Sequence, residues 1–307
     1  MEIVDLQLHE PAPFLPWDGE SDDIRRRVVM EALLQMMDAV GVDAVVLHPV
    51  EDPALADQLA REEPGRFSSV PFILGGRAGR LRRHAIDPEA PDIEERITQT
   101  FAEPGVVALR FTANPSFAPE EFAKFQSGGY DRALAACERQ GIPVLLMISG
   151  APAAATRVAE RYPELQVIVD HIGLKQRPFE QPDDPEWLRL PDVLKLAEYP
   201  NIALKLCGAP GLSRERYPFP DVRPYVDKLV AAFGPDRLAW ASDIGRFRGR
   251  IGWTIRAPDA QGPYPGKHNY MESLAFYLHS NELSDSEKGK ILGATTRRLL
   301  HWPGPKI

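Results

Sequence analysis

Asp5, Gln7 and His9 alternate along "VDLQLHE", almost at the start of the chain. In a strand, alternate residues share a face, so a carboxylate, an amide and an imidazole would stand in a row. Val4, Leu6 and Leu8 would form the opposite, core-facing row. Similar chemistry recurs at intervals: His48 in "VVLHP", Arg110 in "ALRF", Asp170 and His171 in "VDHIG", Lys205 in "LKLCG" and Asp243 in "ASDIG". Carboxylates and imidazoles move protons near neutral pH, and arginine and lysine hold anions. A buried group of this kind without a partner costs about 1–3 kcal/mol. Gathered around one pocket, these groups could satisfy each other and a substrate.

Such gathering requires elements that all present the same end. Apolar runs alternate with helical patterns eight times. The strands read "EIVDLQLH", "DAVVLHP", "FSSVPFIL", "VVALRF", "PVLLMIS", "QVIVDHIG", "NIALKLCG" and "RLAWASDIG". Helices are expected between them. The first would be capped by Ser21 or Asp22 and present Ile24, Val28, Ala32, Met36 and Val40 as its apolar face. Two more helices, near Asn269 to His279 and Asp285 to Leu300, would close the chain. This alternation predicts a TIM-type (β/α)8 barrel in a single domain, residues 1–307. Links from helix to strand are short, such as "QGI" and "GPD". Links from strand to helix are long, such as "GLKQRPFEQPDDPEW" and "GAPGLSRERYPFPD". Long loops therefore collect at the C-terminal ends of the strands, the face where such barrels carry their active sites. The polar residues sit at those same ends.

Composition narrows the partners. The formal charge is −8, from 36 basic and 44 acidic residues. That argues against a nucleic-acid or anionic-membrane surface. No signal peptide or membrane span is expected, and the two cysteines, Cys137 and Cys207, form no metal-type pair. A reducing cytoplasmic location and a possible homo-oligomer follow as expectations. On strand 8, Ala239 and Ala241 share the face of Asp243 and would leave room beneath its carboxylate. Asp170 would point away from its neighbour His171 and brace backbone or a helix cap. His84, His279 and His301 are read as non-catalytic, and His268 as a structural residue in the strand-8 loop.

The pieces "DLQLH", "ALRF", "VDHIG", "LKLCG" and "ASDIG", in this order, resemble the amidohydrolase superfamily, in its branch with amidohydrolase 2 domains. That branch holds small-lactone hydrolases and non-oxidative decarboxylases. The resemblance implies a metal-binding first strand of the form D-x-H-x-H and a further histidine on strand 5. Here Gln7 replaces the first histidine, and Met147 stands where the strand-5 histidine would fall. An amide oxygen and a thioether are poor zinc ligands. The expectation is a site without a metal or other cofactor. The alternative is one divalent ion, zinc or manganese, on His9, His171 and Asp243.

The expected reaction is hydrolysis of a small lactone of an anionic organic acid. Asp243 would activate water, and His171 and His9 would polarise the carbonyl and orient the reactants. Gln7, His48, Arg110, Lys205 and Arg246 would contact the substrate. Arg248, Arg250 and Arg256 add further charge to the strand-8 loop. Phe14, Trp17, Phe179, Trp187, Tyr217, Phe219, Phe247 and Trp253 could wall the pocket or pack the loops. Two alternatives remain open: metal-assisted decarboxylation of an aromatic or enoic acid, and a barrel that binds a small acid without turning it over.

Overall fold

A computed structural model of the protein describes residues 1–9, 22–49, 53–74, 85–116, 118–176, 180–244 and 268–304. Arg246, Arg248, Arg250, Arg256, Phe14, Trp17, Phe179, Phe247, Trp253, His84 and Ser21 lie outside these residues.

Among the described residues, nine short parallel strands form the centre: β1 (Val4–Leu8), β2 (Ala44–Leu47), β3 (Phe67–Ser69), β4 (Phe72–Ile73), β5 (Leu109–Thr112), β6 (Val144–Met147), β7 (Val167–Val169), β8 (Ile202–Lys205) and β9 (Leu238–Ala239). They pair in sequence order as two sheets, β1–β3 and β4–β9. β3 and β4 are halves of the expected third strand, split at Val70–Pro71, where proline cannot donate to the ladder. Both halves hold the next strand: Val107 N donates to Ser69 O at 3.2 Å and Arg110 N to Pro71 O at 2.8 Å. On the far side, Leu6 N donates to Trp240 O at 3.2 Å and Asp243 N to Gln7 O at 3.0 Å. The first and last strands thereby meet, and the sheet closes as a barrel.

Helices wrap the strands: α1 (Asp22–Val40), α2 (Pro53–Glu62), α3 (Ile93–Phe101), α4 (Pro119–Gln126), α5 (Asp131–Gln140), α6 (Ala154–Arg161), α7 (Leu190–Lys195) and α8 (Arg223–Phe233). After β9 come α9 (Tyr270–Leu278), α10 (Asp285–Gly289) and α11 (Thr295–Leu299). None of the described helices is long and apolar enough to cross a membrane. Most of α1 lies as expected, but among its described side chains the buried ones are Leu33 and Met37, and Ile24 is exposed. Two apolar stripes overlap on this helix, and the bulkier pair sits against the barrel.

The core divides by strand face. Outward residues such as Val45, Phe111, Leu146 and Leu204 pack against the helices. Leu6, Val46, Ala108, Leu145, Ile168, Ala203 and Ala241 fill a separate interior cluster, closed at one end by Leu299, Leu300 and Trp302. Period two then dictates what lies above that layer. Two residues on from Val46, Ala108, Leu145, Ile168, Ala203 and Ala241 come His48, Arg110, Met147, Asp170, Lys205 and Asp243. An apolar floor therefore carries a largely polar layer at the mouth.

The strand-1 face differs from the expected one. Asp5 pairs with Val45 but Leu8 with Leu47, so three steps on β1 match two on β2. This bulge reverses the alternation. Val4 and Leu6 enter the interior, while Leu8 joins the outer cluster.

The turn at residues 290–294, between α10 and α11, is a π-helical segment against β1. A Cβ on Gly293 would lie 2.3 Å from the Glu2 carbonyl oxygen. Gly293→Ala should therefore cost about 2 kcal/mol or more by overpacking against backbone, read as a lower urea midpoint with an unchanged slope.

Candidate active site

The β1 bulge separates Asp5 from Gln7. Asp5 turns away from the mouth and accepts hydrogen bonds from Ser242 N (2.8 Å), Ser242 Oγ (2.5 Å), Tyr270 OH (2.9 Å) and Gln7 N (3.1 Å). It braces the backbone on which Asp243 stands and the start of α9. Burial pushes its pKa up to about 6, against the pull of the Ser242 hydrogen bonds. Gln7 and His9 point to the mouth instead.

Two polar groups occupy that mouth. The deeper one centres on Asp170. Arg110 Nε donates to its Oδ2 at 2.6 Å, and Lys205 Nζ lies 2.5 Å from its Oδ1. All three residues are buried. Burial alone would raise the Asp170 pKa, but Arg110 and Lys205 outweigh it and hold the carboxyl well below the usual range. Lys205 also donates to Gln7 Oε1. Arg110 reaches Met147 Sδ at 3.3 Å and lies over the Phe72 ring at 5.3 Å. Asp170 is thus an ion-pair centre and not the backbone or helix-cap brace expected. Strand parity carries it inward. His171 then follows it into the same mouth because residues 171 and 172 take left-handed backbone (φ 52° and 60°), breaking the alternation.

The upper group centres on Asp243, itself left-handed at φ 47°. His171 Nε2 is 3.2 Å from its Oδ2, and His9 Nε2 is 3.3 Å from its Oδ1. Burial would raise the Asp243 pKa, but the hydrogen bond from His171, and one from His9 when its ring carries both protons, hold it well below the usual range. The side chains of Asp243 and His171 are each 1% exposed, and that of His9 is 22% exposed, which makes His9 the accessible member.

Hydrogen-bond logic fixes the His9 tautomer. Its Nδ1 is 2.7 Å from the His48 carbonyl, which can only accept, so Nδ1 carries a proton. The Lys205 ammonium can only donate, so the Gln7 oxygen faces it and the Gln7 NH2 faces His9 Nε2 at 3.3 Å. In its neutral form, His9 therefore presents a bare Nε2 between an amide donor and the Asp243 carboxylate. His48 acts as a spacer: its Nε2 donates to Leu6 O at 3.0 Å, and burial, then Lys205 and Arg110, lower its pKa and keep it neutral.

The structure thus brings together Gln7, His9, His48, Arg110, His171, Lys205 and Asp243, although His48 is fully buried and ties β2 to β1. His268 is buried with its ring centroid 6.1 Å from that of Phe219. Among the aromatic residues, Trp187 stacks on Tyr225, and Tyr217 packs edge-on to Phe219, so these three hold loops together. Cys207 was missed by sequence reasoning. Its sulfur, a His171 nitrogen and an Asp243 oxygen all lie within 4.8 Å of one another. The signal was present, since Cys207 continues the inward parity of Ala203 and Lys205, but a search for paired cysteines passes over it.

The amidohydrolase profile matches residues 4–302. The chain belongs to the amidohydrolase family. This amidohydrolase is 27% identical over 220 residues to a 4-sulfomuconolactone hydrolase from Hydrogenophaga intermedia, a match covering 69% of this chain. The match spans 64% of that relative, less than two thirds of its length. A shorter stretch of 99 residues, 31% of this chain and 32% of the relative, is 35% identical to an L-fucono-1,5-lactonase from Burkholderia ambifaria. Among solved structures, an amidohydrolase from Burkholderia multivorans with bound zinc superposes with a TM-score of 0.71 at 18% identity, over 99% of this chain and 100% of that one. That likeness establishes the fold.

The donors that could receive a metal are unevenly available. The Gln7 oxygen is engaged by Lys205, and the Met147 sulfur receives Arg110. His171, Cys207 and Asp243 converge, with His9 beside them, and nitrogen, sulfur and carboxylate donors of this kind fit a zinc-type ion.

Two measurements test the electrostatics. Lys205→Met should cost about 3 kcal/mol in urea denaturation, because Asp170 Oδ1 and the Gln7 oxygen lose a buried cation. Asp5 titrates higher folded than unfolded, so its contribution to stability is complete below about pH 4 and is lost as pH rises past about 6. Asp5→Asn should therefore gain up to about 3 kcal/mol on wild type between pH 4 and pH 7. A pH-independent difference would contradict that assignment.

Proposed function

We propose that this amidohydrolase opens a small lactone of an anionic organic acid, using water activated at Asp243. The observation that carries the reading is the buried Asp243 carboxylate with one imidazole on each oxygen, at 3.2 and 3.3 Å. Two relatives named as lactone hydrolases support the substrate class.

Water would bind to Asp243 on the side of the more exposed His9. Its proton would pass to the Asp243–His9 pair, in which His9 Nε2 stands 3.3 Å from the Gln7 NH2 and 3.3 Å from the Asp243 carboxylate. The hydroxyl oxygen bonds to the lactone carbonyl carbon, and negative charge develops on the carbonyl oxygen. His171 and the Arg110–Lys205 pair, whose two positive charges are only half balanced by Asp170, would stabilise that charge. The ring C–O bond then breaks, and the alkoxide recovers the proton. The excess positive charge also suits a carboxylate or sulfonate on the substrate.

Every group in this scheme belongs to the chain, and the reading is metal-independent. An ion held by His171, Cys207 and Asp243 would supply positive charge to a substrate oxygen. Asp243→Asn should lower hydrolysis of a panel of carboxylated lactones at least about 100-fold. Chelator-stripped wild type should keep most of its activity. Full loss on stripping, restored by zinc, would overturn metal independence. Carbon dioxide release in place of a new acid would replace hydrolysis with decarboxylation.

A further inference from the structure

Two buried hydroxyls at the mouth have no part in the hydrolytic scheme. Thr112 lies on β5 between Phe111 and Ala113, which both pack in the outer cluster. It therefore faces inward, two residues on from Arg110 along the same face. Ser149 follows β6, two residues after Met147, and its neighbours Leu146 and Ile148 pack outward. Both residues are as sealed as Asp243, at 0% exposed, and neither hydroxyl has a hydrogen-bond partner among the described residues. A buried hydroxyl left unpaired is costly, and here two stand on adjacent strands. Thr112 pairs in register with Met147, so Ser149 is its diagonal neighbour. Strand spacing and rise put their Cα atoms about 8 Å apart. A carboxylate bridging two hydroxyls fits that span, with hydrogen bonds of about 2.7 Å to each oxygen. Asn114, next along the face, is already engaged: its NH2 donates to Glu180 Oε1 at 3.1 Å, and its oxygen accepts from Ser116 N at 2.7 Å.

β5 and β6 stand four and three strands from β9 in the sheet order. The hydroxyl pair thus lies across the barrel from Asp243, where the part of a substrate remote from the ester would rest. In the layer beneath, Arg110 and Lys205 carry two positive charges against one negative charge on Asp170. We propose that Thr112 and Ser149 donate their hydroxyl protons to a carboxylate on the substrate, and so select anionic lactones over neutral ones. A carboxylate engages both the unpaired donors and the excess charge below them. A neutral hydroxyl would engage only the donors, and an ammonium group would be repelled. The inference rests on the proposed reading for the ring that bears the carboxylate, and it adds the residues that recognise the carboxylate itself.

The test measures binding, not turnover. The full chain is titrated calorimetrically with 3-oxocyclopentanecarboxylate, a ring ketone without an ester bond, and with its carboxamide. Wild type should bind the carboxylate at least about tenfold more tightly. Thr112→Val and Ser149→Ala should each weaken carboxylate binding about five- to tenfold and narrow the preference over the carboxamide. Thr112→Ser, which retains a hydroxyl, should retain the preference. Because the hydroxyls lack protein partners, Thr112→Val and Ser149→Ala should match or exceed the wild-type urea midpoint. Equal binding of the two probes, binding of neither, or an undiminished preference in both variants would overturn the subsite. A lowered urea midpoint with unchanged carboxylate binding would assign the hydroxyls to the fold and overturn it too. Lactone turnover is read separately. Preference without hydrolysis retains the subsite and removes the hydrolytic reading, and hydrolysis without preference does the reverse.

Discussion

The Asp170 carboxylate, held between Arg110 and Lys205 in the barrel interior, is the constraint on which the rest of the mouth depends. Two buried cations, one on β5 and one on β8, would repel each other across the barrel interior, and one ionised carboxylate between them makes them compatible. Lys205, once fixed, needs an oxygen for another of its protons and takes it from Gln7. That choice turns the Gln7 NH2 toward His9, leaving a bare nitrogen on neutral His9 facing Asp243. Glutamine in the middle of "DLQLH" is therefore a connector. Its oxygen serves a lysine below, and its nitrogen sets an imidazole above.

The geometry that lets these groups meet departs from regular structure. Asp243, His171 and Ile172 hold positive φ, a conformation that costs about 1–3 kcal/mol each for residues other than glycine. Local bonds hold the Asp243 segment: Asp243 N to the Gln7 carbonyl, and the adjacent Ser242 to Asp5. Asp5 thus works at one remove. It fixes the backbone of the segment that presents the reacting carboxylate. Left-handed backbone and a strand bulge re-aim side chains where regular pleating would face them outward.

Much of this was legible in the sequence. Alternating apolar runs gave the barrel, and strand parity with Ala239 and Ala241 placed Asp243 inward, as the structure also has it. What parity could not show lies where parity breaks. A bulge is invisible in "VDLQLHE", because one extra residue leaves the composition unchanged while reversing the side-chain directions beyond it. The left-handed turn in "VDHIG" likewise lets Asp170 and His171 face one mouth, whereas regular pleating separates them. Ion pairing depends on distance across strands, so the commitment of Arg110 and Lys205 to Asp170 has no local signature. Cys207 was overlooked because its partners are remote in sequence and a lone cysteine reads as core.

Nitrogen-15 NMR of the His9 ring in the resting protein tests the central chain of hydrogen bonds most directly. The account predicts, for neutral His9, a proton on Nδ1 and a pyridine-type Nε2, with that preference weakened in Gln7→Leu. A protonated Nε2 with a bare Nδ1 would contradict it, because neither the Gln7 orientation nor the transfer of a proton to His9 would then hold.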